Sequence, residues 1–184
     1  GSTIYDADFQ LFEEAPPEAL LTTVDHVAQA LPMGRMDHFV LFYRALFGFI
    51  PEQLWEIPDT MGLIQSRTMT SVGREIRLPL NISERRETTT GRFLTTFSGA
   101  GVQHIAMASI DIRRTMEQLA LRGARFLPIP GNYYEDIEAR WGLDETRLEM
   151  LRAHNILYDS DDTGEFLHAY TDPFDDRFFC EIVQ

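Results

Sequence analysis

The 184-residue sequence predicts an α+β fold in which two copies of a βαβββ unit join their half-sheets into an open, barrel-like cleft. Three observations carry that expectation. Val24-Asp25-His26-Val27-Ala28 returns 78 positions later as Val102-Gln103-His104-Ile105-Ala106, each time with apolar residues on either side of an imidazole, as in a strand. A stretch of helical periodicity follows each copy. This sequence then ends on a strand with one acid among apolar neighbours, Phe178-Phe179-Cys180-Glu181-Ile182-Val183-Gln184, with Glu181 77 positions beyond the second histidine.

Taken in order, Thr22 to Leu31 reads as the strand holding His26. Arg35 to Phe47 reads as a helix, with Met36, Phe39, Val40, Tyr43, Leu46 and Phe47 on one face and Gly48 as its stop. Glu52–Ile57, Leu63–Thr70 and Glu75–Leu80 are short strands separated by turns at Asp59–Gly62 and Val72-Gly73. Thr88 to Ser98 is a connector to which the pattern assigns no element. The second unit opens at Val102 and continues in a helix from Asp111, its N-cap, to Leu121, with Gly123 as stop. Arg125–Ile129 reads as a short strand, and Tyr133–Arg152 as a helical insertion broken near Gly142. His154–Ser160, Glu165–Thr171 and Arg177–Val183 complete the unit, with a polar turn at Asp159–Gly164. The expected organisation is a tag remnant and linker over 1–21 and one domain over 22–184. Within that domain, one repeat spans about 22–85 and the other about 100–184.

Composition narrows the function. A formal net charge of −13 disfavours nucleic acid and anionic membrane surfaces as partners. No apolar run has the length of a membrane span. The single cysteine, Cys180, fits a reducing cytoplasm and reads as inert core. Asp6 to Glu18, acidic and proline-containing, reads as a linker from something upstream.

His26, His104 and Glu181 fall on the first strand of each repeat and the last strand of the second, positions that can meet at the centre of the cleft. Two imidazoles and a carboxylate form the donor set of a 2-His-1-carboxylate site, and these donors accept Fe, Mn, Zn or Co without choosing among them. By strand alternation Phe179 and Val183 share the face of Glu181, whose burial there is costly unless something positive meets it. His38 reads as surface, and His154 as a cap or the start of a strand. The acid and its two histidines are therefore the expected chemical centre.

With these motifs in place the chain resembles the vicinal oxygen chelate superfamily, and within it the catalytic domain of the 4-hydroxyphenylpyruvate dioxygenases. The matching stretches are Val24-Asp25-His26-Val27, Phe42 to Phe49, Arg77 to Asn81, Gly99 to Ala106, Phe126 to Tyr134 and Phe178 to Gln184. The resemblance implies Fe(II), or another divalent ion such as Mn, Co, Zn or Mg, held by His26, His104 and Glu181. It implies a 2-oxo acid chelating that metal and O₂ at a further position. Ser66, Asn81 and Gln103 match substrate-contacting positions. Arg92 and His168 stand where such enzymes have glutamine, and Tyr170 matches a phenylalanine that packs on the substrate ring.

A guanidinium and an imidazole in place of amides favour an acidic or hydroxyl-rich ligand over a phenol. The stretch Leu78 to Glu84 and the acidic linker also resemble a bacterial fusion family. There, a domain of this kind follows an N-terminal sugar-isomerase-like barrel acting as 3-dehydroshikimate dehydratase. Two expectations follow. One is a non-haem iron oxygenase acting on a 2-oxo acid or related hydroxylated acid; the other is a non-catalytic module serving the barrel. Both place the chain in the cytoplasm with a small-molecule acid as ligand, and both leave room for a homo-oligomer.

Overall fold

The protein is described by a computed structural model over residues 20–162 and 164–184. The linker expected over 1–21 falls almost wholly outside those residues. Eight strands form one mixed sheet in the order β2-β3-β4-β1-β5-β8-β7-β6. The first repeat contributes β1 (Leu21–Ala30), α1 (Met36–Phe47), β2 (Ile50–Asp59), β3 (Gly62–Thr70) and β4 (Arg77–Ile82). The second contributes β5 (Gly101–Ser109), α3 (Ile112–Leu121), β6 (Leu157–Asp161), β7 (Gly164–Tyr170) and β8 (Phe179–Val183). Strand order reads symmetrically outward from the antiparallel β1–β5 pair, and β1–β4 and β5–β8 are both parallel. The βαβββ duplication is therefore present, curled into a half-barrel.

One face of the sheet is covered by helices. Met36 and Val40 of α1 are buried with Leu80 and Met69 beneath the first half, and Gly48 ends α1 with φ 66°. Leu46 and Phe47, expected on the same face, are instead exposed, with Phe47 keeping only ring contacts to neighbours such as Tyr43 and Phe49. On the second half, Met116 of α3 packs with two further helices, α4 (Gly131–Trp141) and α5 (Glu145–Ala153), over Leu167, Ala169 and Ile182. The break expected near Gly142 is real: this glycine ends α4 with φ 63°, and Asp144 then caps α5 by accepting from the Arg147 amide. Arg125–Ile129 does not form a strand and makes only a bridge from Phe126 to Thr171.

Thr88–Ser98 becomes a helix, α2 (Thr89–Phe97), capped by the Thr88 hydroxyl, which accepts from the Gly91 amide at 3.1 Å. It packs against β4, β1 and β5. Gln29 reaches Tyr43 of α1, so alternation turns Ala28 and Ala30 to the other face, and α2 lies there. Both alanines are fully buried. Gly91 lets the preceding turn fold back onto the helix, since a Cβ there would meet the Arg85 carbonyl oxygen at 2.2 Å. This helix closes one end of the cleft.

Candidate metal centre

The site is built on three neighbouring strands. In the register, Ala106 of β5 lies opposite His26 of β1 on one side and Glu181 of β8 on the other. His104, two residues back on the same face, lies opposite Ala28 and Phe179. Each histidine is preceded by the extra residue of a β-bulge. Val24 pairs with Met107 and His26 with Ala106, leaving Asp25 unopposed; Ala28 pairs with His104 and Gln29 with Val102, leaving Gln103 unopposed. A bulge lets consecutive side chains serve one face. Asp25 and Gln103 are thus brought beside the histidines they precede.

The three side chains converge. His26 Nε2 lies 3.1 Å from Glu181 Oε2, His104 Nε2 lies 3.4 Å from that oxygen, and the two imidazole nitrogens are 3.3 Å apart. Donors about 2.1 Å from one ion at angles between octahedral and tetrahedral are separated by roughly 3.0–3.4 Å. The triangle therefore fits one divalent cation, and imidazole and carboxylate suit iron(II) among others. Glu181 is only 3% exposed, a burial that needs cationic company.

Surrounding groups orient these donors. His26 Nδ1 lies 2.7 Å from Asp25 Oδ1, an acceptor only, so its proton sits on Nδ1 and Nε2 is turned to the cleft. Arg77 in turn binds the other Asp25 oxygen. His168 Nδ1 donates to Glu181 Oε1 at 3.0 Å and lies 3.1 Å from the Tyr170 hydroxyl. One carboxylate oxygen is thereby occupied while Oε2 faces the histidines. Phe179 stacks on His104 with ring centroids 4.7 Å apart. His104 Nδ1 is buried with no hydrogen-bond partner among the described residues.

Charge follows geometry. Burial opposes ionisation of His26, but Asp25 and Glu181 outweigh it and raise the imidazole to about 9. Burial also acts to raise Glu181, yet His104, His168 and His26 hold it well below the usual carboxylate range. Asp25 is lowered, first by His26, then, against burial, by Arg77. Burial and the neighbouring Glu181 push the Tyr170 phenol well above its ordinary value.

A pH dependence follows for the chelated protein. His26 titrates at 6.5 unfolded and about 9 folded, so its contribution is complete below pH 6.5 and lost as pH rises through 9. Glu181, lowered from 4.5, contributes above that pH and loses its share on acidification. The chelated chain should thus melt at a lower temperature at pH 9 than at pH 6, and added divalent metal, which needs the neutral imidazole, should raise the melting temperature more at pH 9. Melting curves at the two pH values, with and without metal, test this; an alkaline loss that persists unchanged in His26→Gln would refute it.

Of the other sequence candidates, Ser66 and Asn81 are cross-strand partners on β3 and β4, both buried, and Asn81 Oδ1 has no hydrogen-bond partner among the described residues. Gln103 is buried and lines a cavity of about 710 Å³ with Arg92 and Phe179. His168 and Tyr170 share the metal face, as strand alternation requires, with His168 engaged by Glu181. His154 caps α5 and bonds the Met150 carbonyl. Asp25 and Ala106 were not singled out from the sequence. The adjacent polar pairs Asp25-His26 and Gln103-His104 were the available signal for the bulges.

Comparison with known proteins places this geometry. The profile of the Glyoxalase/Bleomycin resistance protein/Dioxygenase superfamily matches residues 23–137. A 3-dehydroshikimate dehydratase of Pseudomonas putida is 44% identical over 185 residues, covering 100% of this chain and 29% of the relative. A 4-hydroxyphenylpyruvate dioxygenase of Pseudomonas aeruginosa is 33% identical, covering 99% of this chain and 52% of the relative. Among solved structures, a xylose isomerase-like TIM barrel/4-hydroxyphenylpyruvate dioxygenase fusion protein superposes with TM-score 0.77 at 42% identity, over 99% of this chain and 29% of that one. A variant of 4-hydroxymandelate synthase from Streptomyces coelicolor superposes with TM-score 0.78 at 30% identity, over 88% and 47%. The chain thus spans less than a third of its dehydratase relatives and about half of its dioxygenase relatives. No described helix is long and apolar enough to cross a membrane. Sequence profile, identity and superposed fold agree: the chain belongs to the Glyoxalase/Bleomycin resistance protein/Dioxygenase superfamily and is homologous to the 4-hydroxyphenylpyruvate dioxygenases.

Proposed function

We propose that this chain is a metal-dependent domain that binds a small 2-oxo acid or related hydroxylated acid at a divalent ion, iron(II) in the first instance, held by His26, His104 and Glu181. The observation that carries this is the 3.1–3.4 Å triangle of donor atoms around a buried acid. A bound ferrous ion would supply Lewis acidity toward a chelating acid and redox chemistry toward O₂. The chain's own work is positional. Asp25 keeps the His26 proton on Nδ1, His168 occupies Glu181 Oε1, and Phe179 fixes the His104 ring. Ser66, Asn81 and Gln103 offer hydroxyl and amide partners to the ligand, and Tyr170 packs beside His104 and Phe179.

A second reading is favoured by the higher identity to 3-dehydroshikimate dehydratases than to dioxygenases, 44% against 33%. In it, the domain is a cytoplasmic binding module of a longer protein whose dehydratase step belongs to an N-terminal barrel. Metal content measured together with O₂ uptake, across a panel of 2-oxo acids and shikimate-type hydroxy acids, tests the proposal. Stoichiometric metal with O₂ uptake on a panel member is the expected result, with little or none on 4-hydroxyphenylpyruvate because of Arg92, His168 and Tyr170. Metal without turnover would select the module, and absence of bound metal would refute both forms of the site.

A further inference from the structure

The cavity of about 710 Å³ beside α2 is bordered by Gln103 and by Phe179, the residue stacked on His104, so it adjoins the candidate metal centre. Its wall on α2 carries Arg92 with the threonines Thr89, Thr95 and Thr96, and Arg86 lines it from the preceding turn. The cationic choice is informative. All sixteen basic residues of this acidic chain are arginine, and several described ones are held by carboxylates: Arg74 by Glu52, Arg77 by Asp25, Arg113 by Glu117, Arg125 by Asp172, Arg147 by Glu165. Arg177, also on the cavity, is paired with Asp175. Arg86 and Arg92 have no carboxylate partner among the described residues. Glu87 and Asp176 also line the cavity, without pairing with either arginine. A chain with net charge −13 repels anions at long range, so an anionic ligand needs local guanidinium groups to hold it.

We infer that this cavity is a carboxylate subsite, in which Arg92, assisted by Arg86, holds an acid group at the end of the ligand remote from the metal. The inference rests on the proposed metal site for the other end of the ligand and narrows the substrate class to acids with a second, distal anionic group. A guanidinium can meet a carboxylate with two parallel hydrogen bonds, a geometry that a lysine or the glutamine of the dioxygenases cannot reproduce. The Gln103 amide adds a polar group to the wall, while the Thr89 hydroxyl donates to Asp59 Oδ2 at 2.8 Å and can only accept from a ligand hydroxyl.

The test uses 2-oxoglutarate and 2-oxopentanoate, which differ only in the distal carboxylate, titrated calorimetrically into Zn(II)-loaded chain. 2-Oxoglutarate should bind about 10- to 100-fold more tightly, the range of one charge-assisted contact, and less so as salt is added. The Arg86→Gln/Arg92→Gln pair, both on exposed positions, should bring the two ligands to within about threefold while leaving the Kd of 2-oxopentanoate unchanged. Equal affinities in the parent chain, or a preference that survives the double variant, would overturn the inference. Glutarate against pentanoate in metal-free chain separates the two readings. A glutarate preference lost in the double variant supports the subsite even if metal binding fails. Metal-dependent binding of both oxo acids without discrimination leaves the metal site standing and removes the subsite.

Discussion

Replacing Glu181 with glutamine should lower divalent-metal affinity on the order of 10²- to 10³-fold, one donor's share of a typical protein–metal binding free energy. The shape of the side chain is retained, so what is lost is the anionic oxygen that faces His26 and His104 at 3.1 and 3.4 Å. Removing the orienting group instead of the donor should cost less. Asp25→Asn keeps an oxygen near His26 Nδ1 but not the charge, and an outer partner of this kind typically matters 10- to 100-fold. Competition titration against a chelating dye would give both values and their order. If Asp25→Asn weakened binding as much as Glu181→Gln, Asp25 would have to be a donor itself. Equal affinity for parent and Glu181→Gln would remove the acid from the metal site.

How the two histidines and the acid come to meet was largely legible before the fold was seen. Their strands repeat in sequence, and a period-two element places Phe179, Glu181 and Val183 on one face whatever the neighbouring strands do. The convergence itself needed only that the two units pair through their first strands. The same rule puts His168 and Tyr170 on one face of β7, but the partner of His168 was not legible. Tyr170 lies opposite Glu181 in the β7–β8 register, and His168 opposite Val183. The diagonal reach from His168 to Glu181 depends on that register, which sequence does not state.

Other features were hidden for local reasons. The segment that becomes α2 holds five threonines between Thr88 and Ser98, residues of poor helix propensity. It is helical because Thr88 caps it and because Phe93 is buried to 2% exposure, a tertiary reward outweighing propensity. The bulges at Asp25 and Gln103 were not legible, because an extra residue in one strand shows only against the register of its partner. Phe126 to Ile129, apolar enough for a strand, lacks a neighbour to pair with beyond Thr171.

The remaining large effect concerns a residue with no chemistry of its own. Ala106 is fully buried and lies between His26 and Glu181 in adjoining strands. Directly opposed residues in a sheet have Cβ atoms about 4.5–5.5 Å apart, so the space above this Cβ is where the donor atoms of His26 and Glu181 meet. A methyl leaves that space open. Ala106→Leu would fill it with a branched side chain, forcing the donors apart or itself off-rotamer, at a typical overpacking cost of about 1–3 kcal/mol. Because the added atoms occupy the position of the ion, metal binding should be abolished, while Ile105→Leu, on the opposite face of β5, should leave it intact. Circular dichroism and chelator-treated melting curves would establish that Ala106→Leu still folds, and metal titration would then read the site. A folded Ala106→Leu chain that bound metal like the parent would show that the ion sits elsewhere than above β5, and the site drawn from His26, His104 and Glu181 would have to be abandoned.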